Sequence, residues 1–339
     1  MSAAAGNTEL KRARAALALQ FPGVAIAALV AAAALLVSRE YGGPVMLFAL
    51  LLGMALNLFG REERTQAGIQ FCGKTLLRIG VALLGARIGA QDIATLGAAP
   101  IALVFFAVLA TIVLGAVLGR LMGLGAERGV LTGGATAICG ASAALAISAA
   151  LPDRPTRERD TLFTIIAVTT LSTVAMVLYP LITRAFGLSD VTAGVVIGGS
   201  IHDVAQVVGA GYTISEEAGD TATLTKLFRV ALLAPVVLAV ALVFAAGTRQ
   251  RGLKGLAPPP MLLGFLALAT LNSLGLLPAP VVAAATALST AFLVIAVAAI
   301  GLRTNLADLR TLGWKPLALV IGETGFLLIV LLVGVTHFL

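Results

Sequence analysis

The sequence predicts an all-α integral membrane protein of about eleven transmembrane helices, from its composition and from the spacing of its charges. Of 339 residues, 59% are hydrophobic and 12% are charged, and mean hydropathy is +1.04. A soluble domain needs roughly 25% charged residues to cover its surface. Here the charges are bunched into short segments between apolar runs, and about 20 apolar residues suffice to cross a bilayer. In hydrocarbon the backbone must satisfy its own hydrogen bonds, so a span is a helix or a strand of a closed barrel. The runs are continuous in Ala, Leu, Val and Gly, without the alternation of a barrel strand. Helices follow.

In order, the apolar runs at 21–38, 44–59, 71–88, 99–121, 129–151, 161–183, 190–212, 223–246, 260–278, 281–302 and 315–337 read as spans. Pro44, Pro152, Pro180, Pro278 and Pro280 lie near span ends, where a missing amide costs least. The polar insertions at 60–70, 152–160, 213–222, 247–259 and 303–314 are too short to build a soluble domain. Lys11, Arg12 and Arg14 precede the first span without a convincing cleavage site, so that span is expected to be retained.

The net charge of +7 reflects basic loops between spans and not a basic stripe on a soluble surface, so nucleic acid is not an expected partner. With the N-terminus in the cytoplasm, sixteen of the 23 Lys and Arg residues fall on or near that side. This predicts an inner-membrane protein with a cytoplasmic N-terminus and a periplasmic C-terminus. The segment with Glu216, Glu217 and Asp220 falls outside, whereas the loop with Arg154, Arg157 and Arg159 is an exception to the rule. Cys72 and Cys139 sit in apolar stretches, with neither a disulfide framework nor metal-ligand spacing. No cofactor or metal is expected.

An internal likeness bears on organisation. TLLRI at Thr75–Ile79 matches KLFRV at Lys226–Val230, and ATAICGA at Ala135–Ala141 matches ATALSTA at Ala285–Ala291, at offsets of 151 and 150 residues. They predict a tail and extra helix at 1–40 and two five-helix repeats at 41–188 and 189–339. An odd number of helices inverts the second repeat, the arrangement of secondary transporters that bind substrate at broken helices. The fifth and tenth spans are then expected to break near Gly133–Gly140 and Thr286–Ala291 and to cross at mid-membrane.

The fifth span carries Thr132, Gly133, Gly134, Thr136, Cys139, Gly140 and Ser142. Thr132, Thr136 and Cys139 share one helical face, and the glycines permit either tight packing or local unwinding. Thr286, Ser289 and Thr290 form a similar stripe in the tenth span. The seventh span places Ser200, His202, Asp203 and Gln206 at membrane depth, where ionisable groups mark a pathway or a site. His202 is the candidate proton carrier, and Gln206, one helical turn on, is expected to hold its ring. Lys74 with Arg78, and Lys226 with Arg229, each share a helix face near opposite membrane surfaces, placed to attract an anion by their local field or to anchor in headgroups. Glu323 has no evident partner in the sequence.

ATAICGASAALA at 135–146, GGSIHDVAQVVGAG at 198–211 and TKLFRVALLAPVVL at 225–238 resemble the YeiH-type sulfate exporter family of bacterial membrane proteins, over nearly the whole chain. Where that family often has Glu after its histidine, this chain has Asp203. The resemblance implies the fold shared by sodium/proton antiporters and bile-acid-type symporters, with two inverted repeats and crossing broken helices. Elevator-type relatives of that fold are commonly dimers, which makes a homodimer the expected assembly.

The resulting expectation is a secondary transporter for a small inorganic or organic anion, sulfate or a small sulfonate, working by alternating access with His202, Asp203 and Gln206 in proton coupling. A cation/proton antiporter is the alternative, weakened because neither 129–151 nor 281–302 contains an Asp or Glu. An enzyme is not expected, because no nucleophile or metal constellation is present. A structural or receptor protein rarely buries ionisable groups in this way.

Overall fold

The computed structural model describes residues 2–41, 44–88, 97–152, 154–244, 260–304 and 313–338, and every regular element among them is helical. The elements are α1 (Ser2–Tyr41), α2 (Val45–Ala55), the short α3 (Asn57–Gly60) and α4 (Glu63–Phe71). A π-helical turn at Cys72–Leu76 carries α4 on into α5 (Leu77–Leu84). Then come α6 (Ala98–Leu121), α7 (Ala126–Ala137), α8 (Ala141–Ala150) and α9 (Arg157–Ala185). They are followed by α10 (Asp190–Ser200), α11 (Val204–Ile214), α12 (Glu216–Ala231) and α13 (Leu233–Phe244). The last three are α14 (Pro260–Ser273), α15 (Ala279–Arg303) and α16 (Trp314–Phe338).

Among the described residues, seven stretches are long and apolar enough to cross a membrane: 18–41, 63–84, 98–121, 157–185, 216–244, 279–303 and 314–338. Neither the fifth expected span, 129–151, nor the seventh, 190–212, is among them. Each is a pair of half-length helices, and in each the chain turns back. Arg128 and Asp160 are ion-paired, as are Arg154 and Glu127. A cavity of about 140 Å³ between them is lined by Glu127 and Arg128 from one end of the segment and by Leu151 and Arg154 from the other. Had this segment crossed the bilayer, its ends would stand about 30 Å apart. In the other pair, a methyl group added at Gly194 would lie 2.8 Å from the Ala218 carbonyl oxygen, and one at Gly211 3.2 Å from the same atom. Both α10 and α11 therefore stand beside the start of α12.

The two hairpins enter from opposite ends of α9. Ser148, near the base of the first, accepts a 2.7 Å hydrogen bond from Thr161, and Gly140 at its tip faces Val168. Asp203 at the tip of the second donates its amide to Ser172 Oγ at 3.1 Å, and Gly209 farther along faces Met176. Helices of 10 to 12 residues are about 15–18 Å long, half the thickness of the hydrocarbon core. Their tips thus meet near mid-membrane. In this respect the expected topology is corrected twice, because two spans become re-entrant hairpins. The loop with Arg154, Arg157 and Arg159 then shares a side with Arg120 and Arg128, so it no longer contradicts the charge rule.

The tenth span is also corrected. Residues 279–303 form one uninterrupted helix, so there is no break at Thr286–Ala291 and no crossing of the fifth and tenth spans. A continuous Ala-rich helix and a broken one can share a short Ala-Thr-Ala pattern, because what breaks the fifth segment is Gly140, which its match lacks. Helices α1, α2, α4–α5, α14 and α15 pack on one another, while α6, α9, α12 and α16 surround the hairpins. The α11 helix joins the groups by packing on α2 and α15. At one membrane surface Arg87 Nε reaches the two Asp220 carboxylate oxygens at 3.2 and 3.1 Å, and Tyr212 donates to Asp220 at 2.5 Å, tying the end of α5 to α11 and α12.

In a variant lacking Cys72 and Cys139, cysteines at Glu127 and Arg154 are expected to form a disulfide on mild oxidation and to react with an impermeant reagent from the same side. Labelling from opposite sides would restore a crossing helix.

Candidate functional site

The site forms where the hairpin tips meet. In the first, Ile138, Cys139 and Gly140 connect α7 to α8, and Gly140 adopts φ 64° and ψ −122°, a conformation that favours glycine. In the second, Ile201, His202 and Asp203 are non-helical, and the Asp203 carboxylate caps α11 by accepting from the Ala205 amide at 3.1 Å. Turning the chain inside the membrane strands the carbonyls that end α7 and α10, and in hydrocarbon each needs a donor.

Lys226 and Arg229, both fully buried on α12, supply them. Lys226 Nζ donates to the carbonyls of Ile138, Ile201 and His202 at 2.6, 2.8 and 2.6 Å. Arg229 donates from Nε to Ala137 at 2.7 Å, from one terminal nitrogen to Gly198 and Ile201 at 2.9 Å each, and from the other to Thr136 at 2.9 Å. An ammonium has three donors and a guanidinium five. Lys226 is therefore saturated by backbone, and Arg229 has one donor left. The expected placement of this pair near a membrane surface is corrected: these cations sit inside the site and clasp both tips. Lys74 and Arg78 lie exposed on the α4–α5 helix and do not join them.

His202 is fully buried and bridges the tips to α16. Its Nδ1 lies 3.0 Å from the Thr136 carbonyl, which can only accept, so Nδ1 carries the proton; Nε2 lies 3.0 Å from Thr324 Oγ1. Gln206 does not hold the imidazole. Its Nε2 donates to Thr173 at 3.4 Å, because the one-turn spacing from His202 loses its meaning when residue 202 lies outside the helix.

Glu323 on α16 does have partners. It is fully buried and accepts from Thr132 Oγ1 at 2.7 Å and from Thr136 Oγ1 at 3.4 Å. Its room is made by glycines: a methyl group added at Gly115 would stand 2.6 Å from Glu323 Oε1, and one at Gly129 would strike the Gly115 carbonyl. The sequence-predicted residues Thr132, Gly133, Gly134, Thr136, Cys139, Gly140, Ser200, His202 and Gln206 are all buried at or beside the tips. Asp203 is half-buried and Ser142, at the start of α8, is exposed. Thr286 and Thr290 are not buried, and Ser289 donates to the Gly80 carbonyl at 2.6 Å. That stripe packs α15 onto α5 and does not reach the tips. From the sequence Glu323 has no evident partner and no assigned role, and Thr324 does not stand out, although a lone carboxylate in an apolar span is itself a signal.

At the membrane surface near Arg61 and Arg303, a cavity of about 330 Å³ is lined by Asn57, Gln66 and Gln70 together with the two arginines.

Replacing Lys226 with Met or Arg229 with Gln leaves buried carbonyls unpaired, each costing about 1–3 kcal/mol. Either variant is expected to lose on the order of 3–5 kcal/mol of stability in detergent, whereas Lys74→Gln should lose almost none. Thermal unfolding of the purified proteins measures both.

The family model described as conserved hypothetical protein 698 matches residues 22–320. A UPF0324 membrane protein of Chlorobaculum tepidum is 49% identical over 318 residues, covering 92% of this chain and 88% of the relative. The UPF0324 membrane protein TauZ of Paracoccus denitrificans is 52% identical over 322 residues, covering 93% and 94%. One from Rhizobium meliloti is 45% identical over 319 residues, covering 93% and 92%. Buried cations clasping two re-entrant tips thus belong to a multi-pass membrane protein of the UPF0324 family.

Proposed function

We propose that this protein is a secondary transporter that carries a small anion, sulfate or a small sulfonate, across the inner membrane by alternating access. The observation that carries the reading is the pair of buried cations at the meeting point of two hairpin tips. A helix C-terminus presents roughly half a negative charge. Two of them offset only about one of the two positive charges of Lys226 and Arg229. The surplus favours an anion, and the N-terminus of α8, where Gly140 provides no side-chain cap and Ser142 is exposed, presents backbone amides toward one. Hairpins that enter from opposite sides give each membrane face one tip to move, the physical requirement of alternating access.

The N-terminus is assigned to the cytoplasm. Arg61, Arg64, Arg120, Arg128, Arg154, Arg157, Arg159, Arg303 and Lys315 fall on its side of the bilayer by the helix order, against Arg39, Arg87 and Arg184 on the other. The cavity with Arg61 and Arg303 then serves as a cytoplasmic vestibule for anions. A cation/proton antiporter is the second reading, favoured by Glu323 and Asp203 at the tips. That reading lost ground in the sequence because 129–151 lacks a carboxylate; the fold restores one from α16.

Purified protein in proteoliposomes, offered labelled sulfate, small sulfonates, sodium and lithium with and without a pH gradient, separates the readings. Saturable uptake of an anion is expected. Uptake of sodium or lithium with no anion transported would transfer the site to the antiporter reading.

A further inference from the structure

From the Glu323–Thr132–Thr136 cluster we infer that Glu323 is a proton-binding site linked to anion binding, so that one proton enters the site with each anion. This inference rests on the anion-transport reading. Glu323 lies nine residues into α16, about 13 Å along it, and so well inside the hydrocarbon. Among the described residues no cation is ion-paired with it. Its partners are two hydroxyls of α7, and that choice has a consequence.

A hydroxyl has one proton and can also accept. Thr132 Oγ1 lies 2.7 Å from Glu323 Oε1, but also 3.1 Å from the Arg128 carbonyl and 3.2 Å from the Gly129 carbonyl. With Glu323 ionised, Thr132 and Thr136 both donate to it. With Glu323 protonated, its O–H donates to Thr132 Oγ1, and the Thr132 proton turns to the Arg128 or Gly129 carbonyl. Rotation of one hydroxyl satisfies both states without moving the backbone. A cation in place of Thr132 would have fixed the carboxylate permanently in its ionised form.

The other charged and titratable groups are placed to read this proton. Lys226 and Arg229 lie on the tip that Glu323 supports, since Thr136, which donates to Glu323, gives its carbonyl to both Arg229 and His202. Asp203 caps α11. Glu127 and Arg128 on α7 are held by Arg154 and Asp160 at the hairpin base. On α9 Tyr179 is buried, and on α6 Arg120 is exposed at the helix end. At the tips the two C-terminal helix ends are offset by the N-terminal ends of α8 and α11, so with the two cations and Asp203 counted a surplus of about one positive charge stands there while Glu323 is neutral. It falls to about zero when Glu323 ionises. A proton on Glu323 thus strengthens anion binding, and by linkage a bound anion strengthens proton binding. A proton on His202 would instead add a third positive charge beside Lys226 and Arg229.

The test uses the full-length protein. Sulfate binding in detergent is expected to tighten as pH falls, by up to tenfold per pH unit where one proton is taken up. In proteoliposomes an inward proton gradient should drive sulfate accumulation. Glu323→Gln should bind sulfate with no pH dependence and lose gradient-driven accumulation, whereas His202→Gln should keep the pH slope. The opposite pattern, with the slope lost in His202→Gln and kept in Glu323→Gln, overturns the proposal. The infrared carboxyl band, recorded without any anion, tests the proton site separately from transport. A carboxyl band that titrates in the wild type and is missing in Glu323→Gln supports it even if no anion is carried. A wild-type band that does not titrate defeats it. If Glu323→Gln fails to fold, Thr132→Val serves in its place: loss of the Thr132 hydroxyl should shift the titrating band, and an unshifted band counts against Glu323.

Discussion

Everything at the centre of this protein depends on one constraint: a backbone carbonyl in hydrocarbon must have a donor. Two helices stop halfway across the membrane, and each stop strands carbonyls that water would satisfy at a surface. Lys226 and Arg229 answer with seven donated hydrogen bonds to Thr136, Ala137, Ile138, Gly198, Ile201 and His202. The cations need the carbonyls equally, because a bare ammonium or guanidinium at that depth is costly. Neither half is stable without the other. Both α12 residues contact both tips, so the two hairpins are fixed relative to one another through a single helix.

The rest of the architecture serves that junction. Gly140 supplies the backbone angles that the first turn requires. Asp203 plays a different part, closing the second turn as the cap of α11. Gly115 and Gly129 let α6 and α7 approach backbone to backbone, and this contact leaves the slot in which the Glu323 carboxyl lies. Small residues at helix contacts are the usual means of packing in a membrane, where no hydrophobic force drives helices together. In this protein the same glycines also define the space around an ionisable group.

Composition alone made the fold class legible, because a chain with so few charges and such long apolar runs has no soluble solution. The site was legible in part. Gly133, Gly134 and Gly140, and the His202–Asp203 pair, stand out as interruptions at membrane depth, and the interruptions are where the chain turns. Turning back was not legible, since an apolar run of about 20 residues has the length of a span whether the chain crosses or returns. One sign was present: the arginines at 154, 157 and 159 broke the charge rule only because the preceding segment was assumed to cross. Nor could periodicity place Lys226 and Arg229. Two cations three residues apart read equally as a headgroup anchor, and only tertiary contact with carbonyls from 24 to 93 residues away in sequence separates these cases. Gln206 misled for a local reason: one-turn spacing places side chains together only where the helix is continuous, and residue 202 lies beyond the end of α11.

The saturation of Lys226 also limits what these cations can do. A cation with free donors could bind a ligand directly and hold it strongly. One whose protons are all committed to carbonyls acts on a ligand only through its field, which is longer in range and weaker at contact. The transporter proposed above would have to release what it binds on the far side, and for it a site that attracts by field and holds by a few helix amides would suit turnover better than a full cage of donors. The same field reaches Glu323 through Thr136, whose hydroxyl donates to the carboxyl while its carbonyl accepts from Arg229 and His202. That one residue joins the hairpin, the cations and the buried acid. Any movement of the first tip therefore changes the surroundings of all three at once.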